Sequence, residues 1–342
     1  MTSMREALIE TFLETAGWAD AGRTPVAGDA SNRRYLRLER DNAGQSAILM
    51  DSPLERGEDV RPFIKVDEYL FERGFSAPEI ISRNVEHGLL LLEDLGDDLF
   101  ARVIERNGVP EELLYTEATD LLVRLHDLEP PDLPPYDAVA ATDLAMLAYD
   151  WYLPVGTGSD ERESGEFFGE TMRRALSRHA PECDVTILRD YHAENLIWLK
   201  EREGIARVGL LDFQDANLGH RSYDLVSLLQ DARRDVPEEI EDLMMARYIR
   251  ATGQDREDFY AAYNCIGAQR NLRIVGIFTR LCARDGKSHY IDLIPRVWDY
   301  LQRNLSHPAV KEIRDVVMSS LPEPTPEILN RIKGKCATYP AQ

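Results

Sequence analysis

The residues best suited to chemistry lie in two short segments near the middle of the chain. Residues 188–195 read LRDYHAEN, and residues 210–214 read LLDFQ. Phosphoryl transfer needs a carboxylate near the attacking hydroxyl and oxygen ligands that hold Mg²⁺ against the phosphates of ATP. Asp190 can supply the first, and Asn195 with Asp212 can supply the second. This order, an Asp, an Asn five residues later and an Asp that opens a D-F segment after a hairpin, is what a kinase-type catalytic loop and metal loop require.

Two further side chains of these segments are candidates for contact with the acceptor. His192 either contacts the substrate or hydrogen-bonds the backbone to support its loop. Asp215, three residues beyond Asp212, either assists metal or substrate binding or faces solvent. Both alternatives stay open, and Glu194 is interpreted as a solvated neighbour.

A turn of small and polar residues is a candidate for covering the phosphates. The turn consists of Gly28, Asp29, Ala30, Ser31 and Asn32. Such residues favour hairpin turns for local reasons, and the full G-x-G-x-x-G string is missing. The position of the turn, between predicted strands 24–27 and 33–39 and ahead of the apolar run 89–92, favours a phosphate-covering loop. That apolar run is a core strand, and the backbone groups of Glu93 and Leu95 after it can hydrogen-bond adenine if the strand borders the cleft.

The elements around these segments change character along the chain. Residues 24–92 predict short strands with one internal helix over 59–73, whereas long helices dominate from residue 97 onward. A short hairpin between helices, 195–199 and 207–211, presents loop residues toward a cleft. The pattern predicts an α+β, two-lobed fold with a β-rich nucleotide-binding lobe including the hinge (1–95) and a helical lobe carrying the catalytic and metal loops (96–342).

The composition of the chain limits the kinds of partner that we expect it to bind. Lys plus Arg number 40 and Asp plus Glu 61, which gives a net charge of -21, so nucleic acid would meet a repulsive average field. A phosphate site for ATP needs only a few placed donors and is compatible with this charge. The four cysteines form no Cys-x-x-Cys pair, the N-terminus reads as an amphipathic helix, and no apolar run has the length of a membrane span. These features predict a cytoplasmic protein without nucleic-acid or membrane partners.

With these motifs identified, the sequence resembles the aminoglycoside phosphotransferase and choline kinase superfamily over nearly its whole length. Residues 90–96 (LLLEDLG) are similar to the hinge of that superfamily, Leu125-His126 to the helix before its catalytic loop, and residues 223–225 (YDL) to the segment after its metal-binding Asp. Residues 28–35 (GDASNRRY), 50–53 (MDSP) and 188–191 (LRDY) are similar to bacterial kinases that phosphorylate N-acetylmuramate and N-acetylglucosamine at the anomeric hydroxyl. The resemblance implies the protein-kinase-like fold, ATP, Mg²⁺ and a small-molecule acceptor. His126 and Asp224 each lie within an apolar helical pattern, which favours a structural role in tying the catalytic loop to the helical lobe over a catalytic one.

Two positions depart from the pattern of the superfamily. The His that usually precedes the catalytic Asp by two residues is Leu188, and the usual Lys of the third strand is Met50. A cation must still neutralise the α and β phosphates. We predict that Lys65, on the following helix, replaces the strand Lys, with Arg33 or Arg34 next, and that Lys65→Ala raises the KM for ATP.

Three functions follow as alternatives. The resemblance implies transfer to the anomeric hydroxyl of an amino sugar in peptidoglycan recycling. An aminoglycoside or choline-like acceptor is the enzymatic alternative, which an acidic acceptor pocket would favour, whereas Arg or Lys near the acceptor would favour the lactyl carboxylate of N-acetylmuramate. A nucleotide-binding pseudokinase scaffold is the alternative of another class. The missing strand Lys supports that alternative, and the joint retention of Asp190, Asn195 and Asp212 opposes it.

Overall fold

A computed structural model describes residues 2–26, 33–40, 44–159 and 162–340 of the chain. The predicted phosphate-covering turn, Gly28 to Asn32, lies outside the described residues, so its role stays a prediction. Within the described part, the chain forms two compact units. The first contains Met1–Ala118 and Ala193–Ala216, and the second contains Thr119–His192 and Asn217–Gln342.

The first unit is built on an antiparallel sheet. In the described residues the strands follow the order β1-β2-β3-β5-β4. Their bounds are β1 (Gly22–Val26), β2 (Arg34–Arg40), β3 (Gln45–Asp51), β4 (Ile80–Asn84) and β5 (Leu89–Glu93). The helices of this unit are α1 (Thr2–Thr15), α2 (Arg61–Phe71) and α3 (Phe100–Glu105), and α4 (Glu111–Leu125) runs across the division between the units.

One face of this sheet forms a core with α1. Alternate residues of β3 (Ala47, Leu49) and of β5 (Leu89, Leu91) point to the same side, because side chains alternate along a strand. They pack in one buried cluster with Ile9, Phe12 and Leu13 of α1 and with Trp18. The apolar residues of both strands form continuous runs, AILM in β3 and LLLL in β5, and α1 covers the face to which Leu49 and Leu91 point.

A second hairpin, from further along the chain, also belongs to the first unit. It consists of β7 (Leu196–Trp198) and β8 (Val208–Leu210), where the sequence predicts it. The backbone N–H of Leu210 donates to the Ser76 carbonyl at 2.9 Å, and the Ser76 hydroxyl donates to the carbonyl of Ala206 at 2.7 Å. These bonds explain why residues 193–216 group with the β-rich unit although the sequence predicts a division at residues 95/96; the predicted lobe boundary itself stays a prediction.

The second unit is mainly helical. Its strands β6 (Val185–Ile187) and β9 (Asn217–Gly219) form a short antiparallel pair. Its helices are α5 (Ala138–Ala145), α6 (Leu153–Thr157), α7 (Arg162–His179), α8 (Tyr223–Leu229), α9 (Glu238–Thr252), α10 (Arg256–Ala283), α11 (Ile294–Leu305), α12 (Lys311–Ser320) and α13 (Pro326–Gly334). The mixture of a β-rich unit and a helical unit confirms the predicted α+β fold class.

Helix α10 is the centre of the second unit. It packs against α5, α7, α8, α11 and α13. Gly276 also permits a close approach of the segment between α5 and α6, because a Cβ at this position would lie 2.3 Å from the backbone carbon of Leu147. The Pro-rich tail is ordered over α13, where the Ile332 side chain is fully buried and Arg331 Nη1 donates to the Gly156 carbonyl at 3.0 Å.

Among the described residues, no helix is both long and apolar enough to cross a membrane.

Candidate active site

The loop that carries Asp190 is held by a buried carboxylate. Oδ2 and Oδ1 of Asp224, on α8, accept hydrogen bonds from the backbone N–H groups of Leu188 (2.6 Å) and Arg189 (2.8 Å). Arg189 adopts a left-handed backbone conformation with φ 69°, which is unfavourable for a residue with a side chain. The two hydrogen bonds hold the loop in this conformation. Asp224 thus has the structural role that the sequence predicts.

His126 also has a structural setting. It is buried, and its Nδ1 lies 2.7 Å from the Tyr248 hydroxyl on α9. Burial, the largest cause, lowers the pKa of His126 to about 3, so the ring is neutral at physiological pH. His126 therefore ties the end of α4 to α9, and its predicted link to the catalytic loop stays a prediction.

The carboxylate of Asp190 is partly buried among cationic side chains of the second unit. Burial alone would raise the pKa of Asp190, but the charges of neighbouring arginines, Arg273 foremost and then Arg270 and Arg189, act in the opposite direction, and the pKa lies below its usual value. Asp190 is therefore ionised at neutral pH. An ionised carboxylate can accept a hydrogen bond from a hydroxyl group and then its proton.

His192 is 5% exposed and lies below the surface of the same loop. Arg233 Nη1 lies 3.3 Å from His192 Nε2, and since a guanidinium can only donate, Nε2 is the acceptor and Nδ1 carries the proton. Burial is the main cause that lowers the pKa of His192, so the ring is neutral. This setting favours loop support over contact with the acceptor, which stays a prediction.

Asn195 and Asp212 meet in the first unit. Asn195 Nδ2 lies 3.5 Å from Asp212 Oδ2, and the Gln214 side-chain amide donates to Asp212 Oδ1 at 2.7 Å. The backbone of Asn195 is fixed because its carbonyl accepts from Leu211 N–H at 3.0 Å. Asp212 has a left-handed backbone with φ 58°, and the ring of the next residue, Phe213, stacks on Phe63 of α2 at 4.9 Å. The predicted metal residues are thus brought together, whereas Asp215 is exposed on the same segment.

The donor set of this pair suits a magnesium ion. In the described residues there is no cluster of three or more His, Cys, Asp or Glu side chains of the kind that cages a metal. Mg²⁺ does not need such a cage, because it retains water and phosphate oxygens and takes one or two protein oxygens. When the Asn195 amide is rotated by half a turn, its Oδ1 faces the Asp212 carboxylate in place of Nδ2. Both residues then present oxygen atoms, which are the ligands that Mg²⁺ takes.

The structure reduces the number of backbone groups at Glu93 and Leu95 that are available to hydrogen-bond adenine. The Glu93 N–H donates to the Glu79 carbonyl at 2.8 Å, so it is already used. The Glu93 side chain is held by Arg202 Nη2 at 2.5 Å. The Leu95 side chain is buried. The carbonyl of Glu93 and the backbone of Leu95 therefore remain the predicted adenine contacts.

The structure separates the candidates for the missing strand Lys. Lys65 is exposed on the face of α2 opposite Phe63, in an open depression that Arg73 and Arg83 also line. The Arg33 side chain is only 9% exposed, and its Nε donates to Glu58 Oε2 at 3.0 Å. Arg33 and Asp212 both influence the pKa of Tyr35, which burial, the largest cause, raises. Arg33 and Asp212 thus share Tyr35 as a neighbour, and both Lys65 and Arg33 stay predicted candidates for the cation.

Sequence reasoning missed the arginines around Asp190. Arg189, Arg270 and Arg273, here called the arginine cluster, all act on the Asp190 carboxylate. A signal was present, because Arg270 and Arg273 lie one turn apart within a stretch of α10 whose other residues are largely apolar and buried. Charged residues on a buried helical face are uncommon without a partner.

The fold and these residues define a phosphotransferase of the protein-kinase-like class. The model of the family described as "Phosphotransferase enzyme family" matches residues 22–263, and the chain belongs to this family. An N-acetylmuramate/N-acetylglucosamine kinase of Caulobacter vibrioides is 39% identical over 92% of this chain and 96% of its own length. A kinase of the same name from Pseudomonas aeruginosa is 33% identical, with 90% and 91% covered. The resemblance drawn from the motifs is confirmed.

Solved structures of low sequence identity share the fold. An aminoglycoside phosphotransferase complexed with GDP and kanamycin superposes with a TM-score of 0.57 at 12% identity, covering 87% of this chain and 98% of the other. Choline kinase from Cryptosporidium parvum gives 0.55 at 12% identity, with 92% and 98% covered. The predicted two-lobed, protein-kinase-like fold is confirmed, and membership of this kinase family implies ATP and a divalent cation.

Proposed function

We propose that the protein is a cytoplasmic, ATP- and Mg²⁺-dependent kinase that phosphorylates the anomeric hydroxyl of N-acetylmuramate or N-acetylglucosamine, as peptidoglycan recycling requires. The observation that carries the proposal is the ionised Asp190 within its arginine cluster, because a proposed base in cationic surroundings suits a neutral or acidic sugar. Four relatives with this substrate pair in their names, each covering most of the chain, support the choice of sugar.

In the proposed reaction Asp190 orients the anomeric hydroxyl and accepts its proton. The sugar oxygen forms a bond to the γ-phosphorus as the bond from that phosphorus to the β-γ bridging oxygen breaks, and ADP leaves. Asp190 then releases the proton to solvent. Five residues of chain span at most about 18 Å, so the covalent link between Asp190 and Asn195 limits how far the base lies from the metal residues.

The remaining residues hold and align the nucleotide. Asn195 and Asp212 would bind Mg²⁺, which supplies neutralisation of the phosphate charges when bound. Arg33, held by Glu58, is the proposed cation for the α and β phosphates, and the turn Gly28 to Asn32 is the proposed cover. The carbonyl of Glu93 and the backbone of Leu95 are the proposed adenine contacts.

An acceptor panel tests this function. Purified protein with Mg²⁺ATP is assayed for ADP release with N-acetylmuramate, N-acetylglucosamine, kanamycin and choline. The proposal predicts that ADP is released with each of the two sugars and that this release depends on the added sugar. Turnover with kanamycin or choline alone would transfer the proposal to the enzymatic alternative, and ATP binding without turnover would favour the pseudokinase scaffold.

A further inference from the structure

Two arginines of α10 are held in place beside the loop of Asp190. Arg270 is 4% exposed, and its Nη2 donates to the Ser227 hydroxyl at 2.7 Å. Ser227 in turn donates to the Arg189 carbonyl at 3.0 Å, which connects α10 to the loop. Arg270 Nε and Nη1 are buried without a hydrogen-bond partner among the described residues. A buried guanidinium with unused N–H groups is costly unless another group completes its hydrogen bonds.

Arg273, one turn further along α10, is only partly buried. Its Nη1 donates to the Tyr223 hydroxyl at 2.8 Å. The Tyr223 ring packs edge-on against Tyr136 at 5.0 Å, and the Arg189 guanidinium lies 5.5 Å from the centre of the Tyr136 ring. These contacts fix the direction of the Arg273 head group. A guanidinium that is held in one direction, on a residue that is only partly buried, is suited to bind a planar anion.

Positive charge exceeds negative charge around this loop. Asp231 is close to His192 but already accepts the backbone N–H of Arg233 at 2.8 Å. Burial is the main cause that raises the pKa of Asp224 to about 7, so its carboxyl is only partly charged at neutral pH. The groups concerned are the cations Arg189, Arg233, Arg270 and Arg273 and the carboxyls Asp190, Asp224 and Asp231. In a chain of net charge -21 this local excess of cations favours a ligand that brings a negative charge.

We propose that Arg273, supported by Arg270, binds a carboxylate substituent of the acceptor and makes the enzyme prefer acidic amino sugars over neutral ones. The inference rests on the proposed function and deepens it. N-acetylmuramate carries a lactyl carboxylate, and N-acetylglucosamine has a plain hydroxyl at the same carbon. The two sugars therefore form a matched pair that differs by the group that Arg273 binds.

The test compares kcat/KM for both sugars in the wild type and in Arg273→Gln, Arg273→Lys and Arg284→Gln. A charge-assisted hydrogen bond contributes about 1.5–3 kcal/mol, so Arg273→Gln should lower kcat/KM for N-acetylmuramate by roughly 10- to 150-fold and change that for N-acetylglucosamine little. Arg273→Lys should recover part of the loss. Arg284, which follows the last residue of α10 and pairs with Asp285 at 2.7 Å, is the control, and its variant should behave as the wild type.

Equal losses with both sugars would show that Arg273 acts on Asp190 alone and binds no carboxylate of the acceptor, which would overturn the inference while leaving the proposed function intact. A wild type that phosphorylates neither sugar would contradict the proposed function and the inference together. If Arg273→Gln does not fold, the wild type is assayed with the methyl ester of N-acetylmuramate, which keeps the sugar and removes the charge. The inference predicts at least a roughly tenfold lower kcat/KM for the ester than for the acid, and equal values would overturn it.

Discussion

Asp190 lies in a loop whose cationic neighbours keep its carboxylate ionised, although it is partly buried. Replacement by the isosteric amide removes the proton acceptor and changes the shape of the loop little. We expect Asp190→Asn to lower kcat by about 10²- to 10⁴-fold and to leave the Kd for ATP unchanged. Turnover and ATP titration measure the two effects, with Glu194→Gln, an exposed neighbour, as the control. Near wild-type turnover in Asp190→Asn would remove Asp190 from the mechanism.

The pH profile tests the charges around the same carboxylate. Since the pKa of Asp190 lies below its usual value, kcat/KM should show no loss from its protonation between pH 8 and about pH 5, one unit above the usual Asp pKa. Arg273 is the strongest of the charges that lower this pKa, so Arg273→Gln should move the acidic limb of the profile to higher pH. An acidic limb at the same pH in both proteins would show that Arg273 does not act on Asp190.

The cation for the ATP phosphates is a further question of single residues. Arg33 is held against Glu58, whereas Lys65 lies on the exposed face of α2. We expect Arg33→Gln to raise the KM for ATP several-fold with little change in the KM for the sugar, and Lys65→Gln to leave both unchanged. Initial rates over a range of ATP concentrations measure this difference. A raised KM for ATP in Lys65→Gln alone would restore the interpretation drawn from the sequence.

At the scale of elements, α8 holds the catalytic loop through Asp224. Asp224→Ala removes both acceptors and leaves the N–H groups of Leu188 and Arg189 unsatisfied, which costs about 1–3 kcal/mol of unfolding free energy for each group. The loop should also lose its left-handed turn, so kcat should fall while the KM for ATP stays constant. Denaturant unfolding and steady-state kinetics test both parts. A drop in stability with unchanged kcat would show that the loop does not depend on this anchor.

Helix α2 contains a buried acid that makes stability depend on pH. Burial, followed by the charges of Glu68 and Glu93, raises the pKa of Asp67 to about 8. The unfolded chain releases this proton near pH 4, whereas the folded protein retains it to about pH 8, so the contribution of Asp67 to stability falls as pH rises through this window. We expect Asp67→Asn to melt at a higher temperature than the wild type at pH 8, with the difference shrinking toward pH 5. A difference that does not change with pH would contradict the assigned pKa.

The sequence predicted some elements because their patterns are local. The strands around Met50 and Leu90, the helix bearing Phe63 and the hairpin after Asn195 follow from periodicity and turn residues. The arginine cluster did not, because Arg189 and Arg273 are 84 residues apart and only the packing of α10 brings them together. The preference for Arg33 over Lys65 likewise depends on which face of α2 is covered, and that face is decided by tertiary contacts with Phe213.

At the scale of the whole molecule, a strongly acidic chain contains a small cationic site. The net charge of -21 alone would suit a cationic acceptor, whereas the arginine cluster beside Asp190 suits a neutral or acidic one. The local charge of the site decides which acceptor is favoured, because surface charges beyond about 10 Å are largely screened at physiological salt, whereas the charges of a partly buried site are not. Function in this fold therefore follows from the site, since relatives of the same fold include aminoglycoside and choline kinases.

The identity of the phosphorylated atom tests the central claim most directly. We would record ³¹P and ¹H spectra of the wild-type protein with Mg²⁺ATP and N-acetylmuramate, and separately with N-acetylglucosamine. The account predicts a new phosphorus signal that is coupled to the anomeric proton of each sugar, with N-acetylmuramate converted faster. A phosphate coupled to any other sugar proton, or formation of ADP without a sugar phosphate, would contradict it.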